Sequence, residues 1–391
     1  MKKRISLLLV LAMILSLLAG CSNSAPEQPV ATEPQLDYNE VPTLFYDITG
    51  IPHDKTVMTV GNVEVPAELY FYWVCYVCSS LEYNILSEYS NYGLYGACIN
   101  RETMTVNWAS TYANMPLMEY ALAQAEDTIK YYMSIEELAA EKNAGLTTAN
   151  QVDIENNFRK AVEEMGGGNA FVDYLKMLGI SRASFDRISA ASYLYMNLLD
   201  LVFLEGSDLY LAEEDYNNYA TYADHILIAT QNMQSGDPLT QQQQVEKYQF
   251  ALELSEQIQA ADDPIAKFEE LAAEYSDDPG RKDNPFGYIY TPGTMVDEFE
   301  ATAVTLLPGE ISEPVQSDYG FHIILRRDLI AALQEDESRK VEVAQEYLDQ
   351  LLVRKRSASE VTYDECLTTI DWTTFYDSYI AQIDAMNLNI G

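Results

Sequence analysis

The spacing of apolar residues changes twice along the chain, and this constrains the fold more than any other feature. Between about residues 66 and 220, apolar side chains recur every three or four residues, as in helices that pack along one face. At 222–228 and at 321–325 the period is strand-like, and after residue 330 the helical pattern returns. The sequence therefore predicts an α+β protein in which a mixed unit of about one hundred residues is inserted into a helical one.

A short hairpin precedes the first long helix. The apolar stretches 57–60 and 63–65 are joined by the pair Gly61-Asn62, which favours a two-residue turn. Pro66 then suits the first turn of a helix, where its missing N–H has no cost.

The first twenty residues have the layout of a secretory signal. Three basic residues at 2–4 precede an apolar run at 5–18, which is too short for a comfortable transmembrane helix. The run leads into the letters LAGC, which resemble the signal of bacterial lipoproteins, with Cys21 as the lipid-modified residue. The following residues are small, polar and proline-containing. We therefore predict a signal peptide at 1–20, a lipid anchor on Cys21 and a flexible tether at 21–45; the alternative is a cleaved signal followed by a free cysteine.

The charge balance limits the partners. The chain has 61 acidic and 23 basic residues, a formal net charge of -38. Binding to nucleic acid draws on dense Lys and Arg surfaces, which this composition does not supply. Nucleic acid is therefore excluded as a partner.

Four cysteines remain besides Cys21. Cys75 and Cys78 have the C-x-x-C spacing of redox motifs, but they lie in an aromatic stretch that is typical of a buried helix. Cys98 and Cys366 offer no second pair at zinc-ligand spacing. Core packing is the favoured interpretation, and a disulfide to Cys98 and catalytic redox chemistry stay open as alternatives.

Two of the three histidines, His225 and His322, lie on the first and last strands of the mixed unit. A lone histidine on a strand is usually a satisfied core residue, but both belong to a longer pattern. Five blocks resemble, in order and spacing, the parvulin family of peptidyl-prolyl isomerases. The blocks are 225–228 (HILI), 268–278 (FEELAAEYSDD), 293–300 (GTMVDEFE), 307–315 (LPGEISEPV) and 319–325 (YGFHIIL).

The resemblance implies a set of site residues. It assigns a polar group in which two histidines lie beside a Cys-or-Asp position and a hydroxyl, and an apolar slot for the proline ring. The polar group is His225, Asp278, Ser317 and His322; the slot is Met295, Phe299 and, as a further wall, Phe286. The four-residue spacing of Met295 and Phe299 puts both on one face of a helical turn. The resemblance implies neither cofactor nor metal.

Two features depart from the family pattern. The stretch 283–287 reads DNPFG where the family commonly has GGDLG, and 287–291 is one residue longer. No cluster of Lys and Arg follows His225, so we predict no preference for phosphorylated Ser/Thr-Pro substrates.

The flanking segments resemble the chaperone part of PrsA/SurA-type extracytoplasmic foldases. The resemblance implies a helical, SurA N-terminal-like chaperone domain with an inserted parvulin domain, a small antiparallel sheet flanked by helices. We expect the first part of the chaperone domain at 46–218, the parvulin domain at 219–329 and a helical segment at 330–391 that packs back on the chaperone domain. The implied protein is a membrane-anchored isomerase and chaperone that acts on unfolded exported polypeptides at the outer face of a membrane.

Other functions fit the sequence less well. The main alternative is a holdase-type chaperone whose parvulin domain is inactive, which the altered loop favours. A solute-binding lipoprotein would need repeated βαβ units, a serine hydrolase a G-x-S-x-G motif and a zincin an H-E-x-x-H motif, and none is seen. The 29 tyrosines suit either a client-binding surface or a core.

Overall fold

The computed structural model describes residues 38, 42–233, 235–336 and 338–388. The predicted signal peptide, Cys21 and most of the predicted tether lie outside the described residues. The chain divides into two compact units, the first formed by residues up to 201 together with those from 351, and the second by 202–350.

The described residues form helices joined by short strands. The helices are α1 (Leu44–Thr49), α2 (Ala67–Tyr92), α3 (Leu117–Glu141), α4 (Thr148–Glu164), α5 (Gly168–Leu178), α6 (Arg182–Phe203), α7 (Gln241–Gln259), α8 (Pro264–Tyr275), α9 (Asp297–Ala303), α10 (Leu329–Glu335), α11 (Ser338–Ala358) and α12 (Trp372–Leu388). The strands are β1 (Thr56–Val60), β2 (Val63–Pro66), β3 (Ile99–Asn100), β4 (Thr105–Val106), β5 (Thr111–Tyr112), β6 (Met115–Pro116), β7 (Thr221–Ala229), β8 (Tyr288–Tyr290), β9 (Val315–Gln316), β10 (Gly320–Arg326) and β11 (Val361–Tyr363).

The first unit contains the predicted hairpin and a strand that the sequence did not indicate. β1 pairs with β2 across the turn at Gly61, and β11 pairs antiparallel with the other edge of β1, with Met58 opposite Tyr363. The chain after residue 351 thus returns to the sheet that begins the unit.

An aromatic core holds the helices of the first unit together. The Phe71 ring of α2 lies 5.4 Å from that of Phe375 in α12, and the Ser79 and Tyr376 hydroxyls are 2.8 Å apart. The tyrosines divide between the core and the surface. Tyr70, Tyr72, Tyr376 and Tyr379 are buried, whereas Tyr83, Tyr92 and Tyr95 are exposed.

The end of the predicted tether is in fact part of this core. Leu44 and Phe45 begin α1 and are 1% and 2% exposed. The Phe45 ring packs so closely on Gly179, the left-handed residue that ends α5, that a side chain at Gly179 would overlap the ring. These two apolar residues bury surface that a tether would leave in water.

The continuous helical pattern predicted between residues 66 and 220 is interrupted at 99–116. Two short hairpins, β3–β4 and β5–β6, occupy this stretch. Each strand has two residues, too few for a period to show. Met104, Ala113 and Asn114 adopt positive φ angles, which only Asn among them favours. The sequence therefore indicated neither the short strands nor the turns between them.

The second unit contains a four-stranded antiparallel sheet in the order β8-β7-β10-β9. Helices α7 and α8 pack on one face through Leu254, Ile258, Phe268 and Leu271. Helix α9 packs on the other face. This small antiparallel sheet flanked by helices confirms the predicted α+β fold class.

Candidate active site

The two central strands bring His225 and His322 together. In the antiparallel pairing of β7 and β10, His225 lies opposite Ile324 and His322 opposite Leu227, so the histidines are diagonal neighbours on one face. Their ring centroids are 5.1 Å apart. The alternate residues, such as Ile226, face the core beneath α7 and α8. His53, the third histidine, lies in the first unit.

Asp278 reaches the pair because the chain after α8 follows the edge of β7. The Asp277 amide donates to the Leu227 carbonyl at 2.7 Å, and the Leu227 amide donates to the Ser276 hydroxyl at 3.1 Å. Asp278 Oδ2 then lies 3.3 Å from His225 Nε2. The hydrogen bonds between the Ser-Asp-Asp sequence and β7 thus fix the Asp278 carboxylate beside the His225 imidazole.

Electrostatics keep the Asp278 carboxylate charged. Burial acts to raise the pKa of this carboxyl, but the contacts with His225 and Tyr288 outweigh it and lower the pKa to about 2. Asp278 Oδ1 also accepts a hydrogen bond from the Gly280 amide at 3.1 Å. At neutral pH the group is therefore a fixed anion.

Burial keeps the His322 imidazole uncharged. It is 4% exposed, and burial, together with nearby His225, lowers its pKa to about 3. Its Nε2 shares a hydrogen bond of 2.7 Å with Ser317 Oγ, which also accepts from the Tyr319 amide at 3.2 Å. Ser317 is itself buried, so the hydroxyl is held at the end of the histidine pair.

An apolar wall stands over these polar groups. The Phe299 ring, 2% exposed, lies 5.2 Å from the His225 ring and 5.8 Å from the His322 ring. Met295 packs in the same apolar cluster. Both oxygens of the Glu300 carboxylate accept backbone amides of this loop, at 2.7 Å from Met295 and 2.9 Å from Gly293. The structure thus brings together six of the seven predicted site residues.

The structure does not bring Phe286 to this group. Its ring is 57% exposed and lies 5.6 Å from the Arg327 guanidinium, a cation–π distance. Arg327 pairs at 2.8 Å with Asp224, which projects from the face of β7 opposite to His225. The stretch 283–287, which differs from the family pattern, therefore places the Phe286 ring on the other side of the strand. The prediction that Phe286 forms a wall of the proline pocket is wrong.

Sequence reasoning missed Tyr288. Its hydroxyl donates to Asp278 Oδ2 at 2.6 Å, and its ring centroid lies 6.1 Å from that of His225. The contact depends on a close approach to Gly280, which no spacing in the sequence reveals.

The four described cysteines lie in the first unit. Cys75, Cys78, Cys98 and Cys366 are all free, and the first three are buried. Within the described ranges, no three His, Cys, Asp or Glu side chains are arranged to hold a metal ion. No helix in that part of the chain is both long enough and apolar enough to cross a membrane.

The family comparison defines the class of the second unit. Residues 225–328 match the family model described as "Rotamase: PPIC-type PPIASE domain". The match begins at His225 and includes every site residue named above. The mixed unit therefore contains a parvulin-type domain of the peptidyl-prolyl isomerase class, as the sequence pattern predicted.

Relatives of known name place this domain in a wider setting. Foldase protein PrsA of Staphylococcus epidermidis is 28% identical over 220 residues, 55% of this chain and 62% of its own. Chaperone SurA of Thiobacillus denitrificans is 33% identical over 145 residues, 37% of this chain and 29% of its own. A solved peptidylprolyl isomerase (PrsA) from Bacillus cereus is 19% identical, with a TM-score of 0.32, and the match covers 69% of this chain and 95% of that one.

These similarities confirm the predicted resemblance to PrsA/SurA-like foldases. The matches span less than two thirds of the length of either sequence relative.

The low pKa of His322 makes the second unit sensitive to acid. Between pH 6.5 and about 3 the unfolded chain binds a proton at His322 that the folded chain does not, so stability falls as pH falls through this range. The limiting slope is about 1.4 kcal/mol per pH unit. The variant His322→Gln should lose this slope above pH 4.5, where Asp278 does not yet contribute.

The three tryptophans, at 73, 108 and 372, all lie in the first unit, so their fluorescence does not report on this effect. Urea midpoints at pH 6.5 and 4.5 should instead be read by hydrogen exchange in peptides from β10. Equal pH slopes in the wild type and in His322→Gln would show that His322 protonates normally in the folded protein.

Proposed function

We propose that the second unit catalyses cis–trans isomerisation of peptidyl-prolyl bonds. The observation that carries this proposal is the position of His225, His322, Asp278 and Ser317 directly beneath the Phe299 wall. No bond has to break in this reaction. The barrier is the rotation of an amide, about 18–20 kcal/mol, and the uncatalysed reaction takes roughly 10–100 s.

The two halves of the site have different roles in this mechanism. Met295 and Phe299 bind the proline ring while the carbonyl of the preceding residue rotates. A twisted amide loses conjugation and is less polar than a planar one, so an apolar slot favours the twisted form. The neutral His322, tied to Ser317, and His225, tied to Asp278, supply fixed dipoles next to the moving carbonyl. Neither cofactor nor proton transfer is required.

A proline-peptide isomerisation assay tests this assignment. Removal of the imidazole in His322→Ala should lower kcat/KM at least about tenfold, because one preorganised polar partner is lost. Suppression of aggregation of an unfolded client should be nearly unchanged, since this activity does not need the site. Ser317→Ala, a smaller change, should lower the rate in the same direction.

The matched control is His53→Ala, which removes the third histidine, located in the first unit beside Glu68 at 3.3 Å. It should isomerise the peptide at the wild-type rate. Wild-type rates in both His322→Ala and Ser317→Ala would remove the site assignment. A wild-type protein with no isomerisation rate above background would favour the alternative, a holdase with an inactive parvulin domain. The loop at 283–287, which differs from the family pattern, supports that alternative.

We further propose that the whole chain is a foldase for exported polypeptides that is held at the outer face of a membrane by a lipid on Cys21. The LAGC sequence after the apolar run supports the anchor, and the relatives named foldase PrsA and chaperone SurA support the client class. More than one acyl chain on a single cysteine gives stable anchoring. The helical part, 46–218 with 330–391, is proposed as the client-binding domain and 219–329 as the isomerase domain.

Detergent-phase partitioning of the exported protein tests the anchor. The wild type should enter the detergent phase, and Cys21→Ser should stay in the aqueous phase, because the acyl chains are the membrane-binding element. Cys366→Ser, which changes a cysteine on the first unit, is the control and should partition like the wild type. Equal partitioning of Cys21→Ser and wild type would contradict lipidation.

A further inference from the structure

Both oxygens of the Asp278 carboxylate are held by groups outside the histidine pair. Oδ1 accepts the Gly280 amide at 3.1 Å, and Oδ2 accepts the Tyr288 hydroxyl at 2.6 Å. Oδ2 is also the oxygen that faces His225 Nε2 at 3.3 Å. Tyr288 therefore determines where the oxygen that meets the imidazole lies.

Gly280 makes this contact possible. A methyl group on its Cα would overlap the Tyr288 hydroxyl oxygen. The backbone of Gly280 does not adopt a left-handed conformation, so a glycine is not required there by its φ angle. The absence of a side chain matters because it leaves room for the tyrosine. The nearest atom is the far end of the Tyr288 side chain and not the backbone, so a side chain at 280 would displace the hydroxyl first.

The directions of the hydrogen bonds follow from the chemistry. An ionised carboxylate only accepts, so the Tyr288 hydroxyl must donate to it. Burial and the contact with Asp278 raise the pKa of the Tyr288 hydroxyl, which keeps it protonated as a donor. Both ring nitrogens of His225 are buried without a hydrogen-bond partner among the described residues, and Nε2 is the one that faces the carboxylate at 3.3 Å.

We propose that Tyr288 and Gly280 are positioning residues of the isomerase. The missing side chain at Gly280 leaves room for the Tyr288 hydroxyl, which orients Asp278 and thereby fixes the carboxylate charge next to His225 Nε2. This inference rests on the proposed isomerase function. The Tyr288 ring packs in the same apolar cluster as Phe299 and Met295, so the test removes only its hydroxyl and leaves this packing in place.

The charged and titratable groups around the carboxylate come from three elements. His225 faces it from β7, Tyr288 from β8 and His322 from β10. The Arg281 guanidinium, which also acts on Tyr288, forms an ion pair with the Asp224 carboxylate at 2.6 Å.

The test uses Tyr288→Phe, Gly280→Ala and the double variant in the full chain. Each single change should lower kcat/KM about five- to tenfold, mainly through kcat, because a hydrogen bond to a charged group is lost while the slot is intact. The double variant should be no slower than Tyr288→Phe alone, since the missing side chain at Gly280 acts only through the hydroxyl and the Gly280 amide is kept. Tyr248→Phe should keep the wild-type rate; this partly exposed tyrosine lies in the same unit, with its ring centroid 5.0 Å from that of Phe321.

A second readout does not depend on catalysis. The carboxyl ¹³C resonance of Asp278, assigned with Asp278→Asn, should stay that of an ion from pH 7 down to pH 4 in the wild type. In Tyr288→Phe and Gly280→Ala it should begin to titrate near pH 4, because the pKa moves up toward its ordinary value of about 3.9.

The outcomes separate the two proposals. A wild-type protein without isomerase activity would remove the proposed function, and the ¹³C titration would still decide whether Tyr288 orients Asp278. An active wild type with unchanged rate and unchanged titration in Tyr288→Phe would overturn the inference. So would a double variant whose loss is the product of the two single losses.

Discussion

The pairing of β7 with β10 is the contact on which the candidate site depends. Seven residue pairs, from Gly320 opposite Ala229 to Arg326 opposite Ala223, join the first and last strands of the parvulin-type domain. Because side chains alternate along a strand, a slip of one residue would move His322 to the face covered by α7 and α8. The apolar residues of that face therefore fix the register, and the register fixes the histidine pair.

The same sheet gives its two faces opposite environments. The face beneath α7 and α8 is an apolar core that includes Ile226, Ile228 and Ile323. The other face carries polar groups that are almost as well buried, so electrostatic interactions there are stronger than in water. This explains how a carboxylate that stays ionised and an imidazole that stays neutral exist a few ångströms apart at neutral pH.

That separation of protonation states suits a reaction with no bond breaking. A site that exchanged protons would need groups that titrate near neutral pH. Here Asp278 and His322 are both driven away from that range, one to stay charged and the other to stay uncharged. The arrangement favours fixed dipoles next to a rotating amide, with the hydrophobic Phe299 side chain over them.

Part of this site could be predicted because its residues lie in regular elements. His225 and His322 occupy strands with clear apolar runs, and Phe299 lies in α9. Met295 lies in the loop before that helix and not on its face as predicted, although it packs in the same cluster as Phe299. Phe286 could not be placed, since its position depends on an Arg327 contact in a loop that departs from the family pattern. Tyr288 was missed because its contact depends on the three-dimensional approach to Gly280.

The same limit applies to the fold. Long helices such as α2 and the paired strands β7 and β10 show a period over many residues, so the sequence indicated them. The two-residue strands at 99–116 and strand β11 have no period of their own, and only tertiary pairing defines them.

In the proposed mechanism, a proline ring sits against Met295 and Phe299 while its peptide bond rotates over the histidine pair. The most direct measurement is a two-dimensional NMR exchange experiment on a proline peptide with protein carrying ¹³C-methyl methionine. The account predicts cis–trans exchange cross-peaks within a mixing time of about a second, and in the same sample nuclear Overhauser contacts from the proline ring to the Met295 methyl. Exchange without those contacts, or the contacts without exchange, would contradict it.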